Sequence, residues 1–523
     1  MAKRNWNKQT AQARIDARLA EVKTVTIREW ARDTDLTALP VATAYRVDGV
    51  HVYVDILNLD DMLNVTGVEG VTCHRRTLRF LNLHYRAVRN ILAEVNAIQV
   101  DFHNQRLHAV FAKPYGDEAS RIHRAVATAQ LIADVLARTG EDGDDPLPAA
   151  KVRVGIDSGK ALAVNNGRRG NREPLFLGEP ANLAAKRAGG GTKAGIFMTN
   201  AAREAVAWDE VIDVDGVALT AAQIEASQTK AKLSVTADGV VKDWEDDLAK
   251  NPIGVFDFYP HTPPFENLDL EALTPKNSRR QESTSIYADI DGFTSYVAER
   301  VDDDESAKDV VRTLHVLRAE LDSVLHADFA GRKIRFIGDC VHGVMVEGTA
   351  QTTDDADTAK NAMLCAAAMR SSFGLAMEKL RDEDIDAGEL GLAIGLEHGI
   401  VAITRLGVKG EMIRCCISRG VLRSEEEQLR CNGRQTAIGP TLDEHAPDAF
   451  KRLFGASRRR SDFDYDQAID ALESDAAAKK SQSAATSSLL RPATAAPATA
   501  AAAAGFVFGA RAQMPSKTPA GYA

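Results

Sequence analysis

The chain has 523 residues, of which 45% are hydrophobic and 26% charged, and its formal net charge is −10. This is the composition of an ordinary soluble globular protein, too long for one core; at about 150 residues per domain it predicts two or three domains. The acidic balance speaks against a duplex-binding protein, all the more because the five basic residues after Asp475 leave the remainder near −15. An acidic protein can still take a nucleoside triphosphate where metal ions neutralise the phosphates. No apolar run approaches the roughly 18 residues of a membrane span, and the N-terminus MAKRNWNKQTAQARIDARL lacks an apolar secretory core, so a cytoplasmic protein is expected. The six cysteines are scattered, with no C-x-x-C pair and no histidines at zinc-finger spacing, and are read as reduced core residues.

In chain order, residues 1–44 carry an amphipathic helical pattern, QTAQARIDARLAEV, expected to be a packing arm. A first domain is predicted over 45–262. Its strand VYVDILNLDDM ends in Asp55 and runs straight into helix. A long helical pattern, TLRFLNLHYRAVRNILAEV, leads to an apolar hairpin, IQVDFHNQRLHAVF, with Gln105 at its tip. An Ala-rich helix, the strand VRVGIDSG and a glycine turn opening a helix, LGEPANLAAKRAG, complete the unit. Residues 263–283, with prolines and mixed charge, read as an interdomain linker.

A second domain, 284–460, repeats that order. YADIDGFTSYV carries Asp289, DVVRTLHVLRAELDSVL is the long helix, and IRFIGDCVHGVM is the hairpin with Asp339 at its tip. LAIGLEHG and SRGVLRSEEEQLR then fill the last two slots. Gln105 and Asp339 each lie 50 residues beyond Asp55 and Asp289, and Gly155 and Gly159 match Gly395 and Gly399. An internal repeat of strand, helices, hairpin, helix, strand pair and helix predicts an α+β fold, a mixed sheet with helices packed on it, built twice. Residues 476–523, rich in Ala, Ser, Thr and Pro, are expected to be a disordered tail.

YADIDGFTSYV followed 50 residues later by FIGDCVHGVM resembles the two metal-aspartate motifs of the class III nucleotidyl cyclases, and the likeness covers roughly 45–262 and 284–450. It implies palm-type, ferredoxin-like domains packed as an internal pseudo-heterodimer, with each site built across the interface. The reaction is attack of the ribose 3′-oxygen on the α-phosphate with loss of diphosphate, and two divalent ions can stabilise attacking and leaving oxygens together. Oxygen ligands suit Mg²⁺ or Mn²⁺. By this resemblance Asp289, Asp339 and the Ile290 carbonyl hold the two ions, and the turn through Gly292, Phe293 and Thr294 faces the triphosphate.

The two repeats differ in what they retain. Gln105 replaces a metal carboxylate in the first, so Asp55 is read as a relic or a cap. Family members place an asparagine and an arginine four residues apart on the later helix; the first repeat has Asn182 and Lys186 there, on one helix face. Lysine supplies charge without a bidentate fork, and Arg187 is an alternative to it. Ser424 and Gln428 are read as the second repeat's equivalents, with neither the amide nor the cation. One composite site is therefore expected to be complete and its mate dead.

Where purine cyclases read adenine, this chain has Asp101 and Leu175. Asp101 can accept a hydrogen bond from uracil N3 or cytosine N4. The chain thus resembles the pyrimidine cyclases of bacterial Pycsar anti-phage systems, which implies conversion of UTP, or of CTP, to a cyclic mononucleotide sensed by a separate, often membrane-embedded effector. An adenylate cyclase using ATP and a catalytically dead nucleotide sensor are the competing readings. Arg405, Lys409 and Lys250 are candidate triphosphate contacts.

Overall fold

A computed structural model describes residues 4–31, 34–36, 39–139, 147–166, 174–408 and 412–489, the last nine by backbone alone. The first half runs α1 (Lys8–Glu21), β1 (Thr26–Glu29), β2 (Thr43–Ile56), α2 (Leu59–Leu63), α3 (Val71–Glu94), β3 (Ile98–His103), β4 (Arg106–Phe111), α4 (Glu118–Leu136), β5 (Val152–Val164), β6 (Leu175–Leu177), α5 (Glu179–Gly189), β7 (Gly195–Met198), α6 (Asn200–Glu204), α7 (Ala221–Ala231) and α8 (Ala237–Lys250). The second continues with β8 (Phe258–Tyr259), β9 (Ser278–Asp291), α9 (Phe293–Ala298), α10 (Asp304–Ser323), β10 (Arg332–Ile337), β11 (Cys340–Met345), α11 (Asp355–Asp382), β12 (Gly391–Leu406), β13 (Ile413–Ile417), α12 (Arg419–Leu429), β14 (Gln435–Ile438), α13 (Pro440–His445), α14 (Asp448–Phe454), β15 (Arg459–Ser461) and α15 (Tyr465–Leu489).

The two sheets share one strand order. The first is β3-β4-β2-β5-β6, with β7 parallel to β5; the second is β10-β11-β9-β12, with β13 antiparallel and β14 parallel to β12. Their registers coincide, for Tyr53 stands opposite Gly155 and Tyr287 opposite Gly395. Both glycines are needed for close approach. A Cβ at Gly155 would lie 2.0 Å from the Ala184 carbonyl oxygen and 2.5 Å from the Ala188 nitrogen, and one at Gly395 would lie 2.3 Å from the Ser424 oxygen and 2.2 Å from the Gln428 nitrogen. Helices α5 and α12 therefore rest directly on the central strands.

That packing corrects one reading. Ala184 and Ala188 correspond to Ser424 and Gln428, so the second-half equivalents of Asn182 and Lys186 are Leu422 and Glu426, not Ser424 and Gln428. Leucine and glutamate also provide neither an amide nor a cation there. The helix caps agree with this register, since Gly178 caps α5 and Ser418 caps α12.

Two predicted boundaries also change. Within 263–283, Phe265, Leu268, Leu270 and Leu273 are buried against Tyr287, Ile334 and Val401, and β9 already begins at Ser278. This stretch is core of the second half, because its apolar residues cover a sheet face that its prolines and charges concealed. Residues 476–489 of the expected tail are helical, being part of α15, and 490–523 lie outside the described residues. Residues 474–489 belong to a unit of their own. The N-terminal arm packs on the second half: Ala11, Ile15 and Val22 enter its core, and Arg14 binds Glu320 and Asp328 at 2.7 and 2.8 Å. Five of the cysteines are buried, Cys431 is half-buried, and all six are free.

The halves meet through buried polar contacts. Arg335 on β10 donates to Asp101 Oδ1 at 3.1 Å, to the Phe102 carbonyl and to the Arg414 carbonyl at 2.8 Å, with its side chain 2% exposed. Arg419, the first residue of α12, donates to the carbonyls of Leu63 and Thr66 across the interface. Gly395→Ala should test the packing rule: backbone lies where the new methyl must go, so overpacking costs about 3 kcal/mol. A lower Tm by calorimetry is the expected outcome, and an unchanged Tm would show that α12 is free to shift.

Candidate active site

Strand β9 delivers Asp289 at its end, and Gly292 follows with φ +83°, a left-handed conformation that glycine adopts without steric penalty. The chain then turns at once into α9. Beside it, the β10–β11 hairpin closes on Gly338 and Asp339, with Gly338 at φ +60°. In the first half the hairpin turn is Asn104 and Gln105, with Asn104 at φ +48°, the same backbone with an amide for the carboxylate.

Asp289 and Asp339 are both half-buried by surface, yet hemmed in by protein. Burial, and then the neighbouring Asp291 charge, push Asp289 up to about 6. Burial, and then the Asp289 charge, raise Asp339 well above the usual carboxylate range, while Arg318 opposes the rise. Two facing carboxylates that resist ionising together are a donor set suited to a hard divalent cation. Gln428 donates to Asp289 Oδ2 at 3.2 Å, orienting that carboxylate from α12.

A cavity opens against Asp339, and both halves wall it. Phe293, Thr294, Arg318 and Phe336 come from the second half, and Asp101, Arg106, Leu175 and Asn182 from the first. The structure thus brings Asp339, Phe293, Thr294, Asp101, Leu175 and Asn182 together. Gly292 is exposed behind the turn it makes, and the Ile290 side chain is buried in the core, paired in register with Leu392. Asp101 reaches the cavity with its carboxylate already bonded to Arg335. A larger cavity of about 680 Å³ adjoins through Arg318 and Phe336 and carries Arg332, Lys333 and Arg414 on its walls.

Lys186 is not brought in. It is exposed one turn beyond Asn182 and does not line the cavity. Arg187 turns away to Asp215, with Nη1 3.1 Å from Oδ2. The two arginines that line the cavity both have protein partners: Arg318 stacks on Phe336 at 3.8 Å and donates to the Asn166 carbonyl, and Arg106 pairs with Glu425. Of the guessed triphosphate contacts, Arg405 is bound to Glu271, Lys250 is exposed at the end of α8, and Lys409 lies outside the described residues.

The equivalent corner of the first half is filled by side chains. Arg106 follows Gln105 and stands opposite Asp55 in register; its Nε lies 3.6 Å from Asp55, and its Nη1 2.7 Å from Glu425 on α12 of the other half. A guanidinium thus lies between the two carboxylates. Arg106, Glu425, Arg318 and Arg335 carry no signal in the sequence, because each sits in an unremarkable amphipathic pattern and takes at least one partner from the other half: Arg106 with Glu425, Arg318 with Asn166 and Arg335 with Asp101.

With this geometry in place, comparison with known proteins is specific. The model of the adenylate and guanylate cyclase catalytic domain matches residues 276–418, which contain Asp289 and Asp339. A uridylate cyclase of Pseudomonas aeruginosa is 54% identical over 92% of this chain and 94% of its own, and one from a Rhizobium species is 41% identical over 80% and 82%. A crystal structure described as a class III adenylyl cyclase-like ATP-binding protein from Pseudomonas aeruginosa, also 54% identical, superposes with a TM-score of 0.88 over 90% of this chain and all of its own. The fold and the site define a class III nucleotidyl cyclase. Within that class, the chain belongs to the Pycsar-type family of its two uridylate cyclase relatives, and no helix among its described residues is long and apolar enough to cross a membrane.

In metal-free protein the raised carboxyls bind more protons folded than unfolded, so above their ordinary values near 4 their contribution to stability falls as pH rises until each passes its raised folded value, about 6 for Asp289. Asp339→Asn removes that repulsion. It should raise the Tm in chelator at pH 8 by about 1–3 °C, with the gain shrinking toward pH 5. An equal difference at both pH values would show that the pair is not electrostatically strained.

Proposed function

We propose that the protein converts UTP to 3′,5′-cyclic UMP and diphosphate, with one working site per chain. The observation that carries this is the shared cavity, in which Asp339 of one half faces Asn182 and Asp101 of the other, in a chain 54% identical to a uridylate cyclase. Asp289, Asp339 and the Ile290 carbonyl would hold the divalent ions, Mg²⁺ or Mn²⁺, which supply charge neutralisation at the triphosphate and the attacking oxygen.

The chain's own residues do the positioning. The Asn182 amide, with no hydrogen-bond partner among the described residues, would orient the ribose so that its 3′-oxygen lies in line with the α-phosphorus. The Gly292–Thr294 turn would support the phosphates. The 3′-hydroxyl would give its proton to solvent water and bond to phosphorus as the bond to the bridging oxygen breaks, and diphosphate leaves with that bonding pair. Lys186 would take part only by swinging inward from the rim, whereas Arg318 already stands at the wall. Asp101, fixed by Arg335, would accept from uracil N3, and Leu175 would pack on the ring; the cytosine N4 amine is the other donor this carboxylate suits. By the resemblance to Pycsar cyclases, the product would act on a separate effector in anti-phage defence.

The solved structure described as ATP-binding favours a second reading, in which ATP is the ligand. Incubation with each of the four nucleoside triphosphates and Mn²⁺, followed by chromatography of cyclic products, separates the two. Cyclic UMP is the expected main product; none from any nucleotide, with folded protein, would leave only a sensor. Asp289→Ala, Asp339→Ala and Asn182→Ala should each lower kcat by about 10²-fold or more, as for loss of a group that stabilises the transition state. Asp55→Asn should change it by less than about threefold, because Arg106 and Glu425 already fill that site; equal losses in all four would mean two working centres.

A further inference from the structure

A second donor cluster lies in the same half, away from the cleft. Asp355, the first residue of α11, His398 on β12 and His445, the last residue of α13, each offer one ligand atom within 4.8 Å of the other two. Nothing in the cyclase reading uses them.

Their hydrogen bonding is incomplete in a telling way. The His398 side chain is 2% exposed, and its Nε2 has no hydrogen-bond partner; neither has Asp355 Oδ1, which faces it. The two atoms stand 3.5 Å apart, long for a hydrogen bond. That separation is close to the edge of a tetrahedron built on bonds of about 2.0–2.1 Å, the zinc–imidazole length. On the other side of the ring, His398 Nδ1 lies 3.0 Å from Thr284 Oγ1. A donated Nδ1–H there leaves the lone pair on Nε2, aimed at Asp355, the outer-shell arrangement that orients metal-bound histidines. His445 approaches from α13 with its ring 5.0 Å from that of His398, and Glu282 adds negative charge beside Asp355.

We propose that Asp355, His398 and His445 form a binding site for one borderline divalent transition-metal ion, zinc being the best fit to two imidazoles and a carboxylate, with water completing the coordination. The half-buried Asp355 and His445 leave an entry path. The ion would tie α11, β12 and α13 together about halfway along β9 and β12, away from the cleft: Thr284 precedes Asp289 by five residues on β9, about 17 Å along the strand. The fold does not demand this cluster, for the shared register puts Ser158 at the place of His398 in the first half. The proposal stands whether or not the cyclase reading does.

The test is zinc binding by the full-length chain, stripped with chelator and titrated with Zn²⁺ in excess Mg²⁺, read by equilibrium dialysis with metal analysis. One equivalent is expected, retained in Asp339→Asn and weakened about tenfold or more in His445→Gln and Asp355→Asn, both half-buried positions chosen over His398 to preserve folding. Co²⁺ in place of Zn²⁺ should give a visible d–d absorption in the wild type that His445→Gln loses. Absence of zinc from folded wild-type protein would overturn the site. So would wild-type affinity in both variants, or loss of the ion in Asp339→Asn.

Discussion

Two like charges held together out of bulk water demand a cation, and the two halves of this chain meet that demand differently. Asp289 near the end of β9 and Asp339 at the adjacent hairpin turn are both raised, first by burial and then by a neighbouring carboxylate, Asp291 for the one and Asp289 for the other. Left alone they are a liability, one that a bound cation would relieve. In the first half, Gln105 removes one charge and Arg106 answers the other, with Glu425 reaching over from α12 to complete the ion cluster. One fold therefore carries this corner in two forms, a pair of carboxylates in the second half and a carboxylate paired with a guanidinium in the first.

The rest of the architecture keeps one productive juxtaposition. Close contact of α5 with β5 at Gly155 places Asn182 at the cavity, and close contact of α12 with β12 at Gly395 brings Gln428 to Asp289. Arg335 reaches from β10 into the backbone and carboxylate of β3, so the hairpin that carries Asp339 and the strand that carries Asp101 are held by one buried guanidinium. The N-terminal arm, bonded through Arg14 to Glu320 and Asp328, adds a strap from the beginning of the chain to the second half. A domain free to separate would lose the cavity; these contacts oppose that.

Much of this was legible in the residues. The 50-residue spacing from strand aspartate to hairpin tip, the paired glycines and the alternation of strands and helices reproduce the two sheets and their shared order. The register of the later helix was misjudged by two residues, because its pattern offers several frames and only the glycine contacts choose among them. The segment 263–283 was misjudged because prolines and charges are surface signals, whereas the four apolar residues between them answer to a sheet face formed elsewhere. The family resemblance puts Lys186 in the cleft on the same helix face as Asn182, and a shared face does not set how deeply each of its residues is inserted.

What the sequence determined by itself were the local features: which strands end in aspartate, which turns need a left-handed residue, which helix carries an amide, and the family whose motifs these are. Only the tertiary structure decided who partners whom, namely Arg106 with Asp55 and Glu425, Arg335 with Asp101, and His398 with Asp355 and His445. The reason is physical. Backbone conformation and period answer to neighbours in the chain, while charge pairing and metal geometry act through space at about 3–5 Å, between residues that the sequence holds tens to hundreds of positions apart.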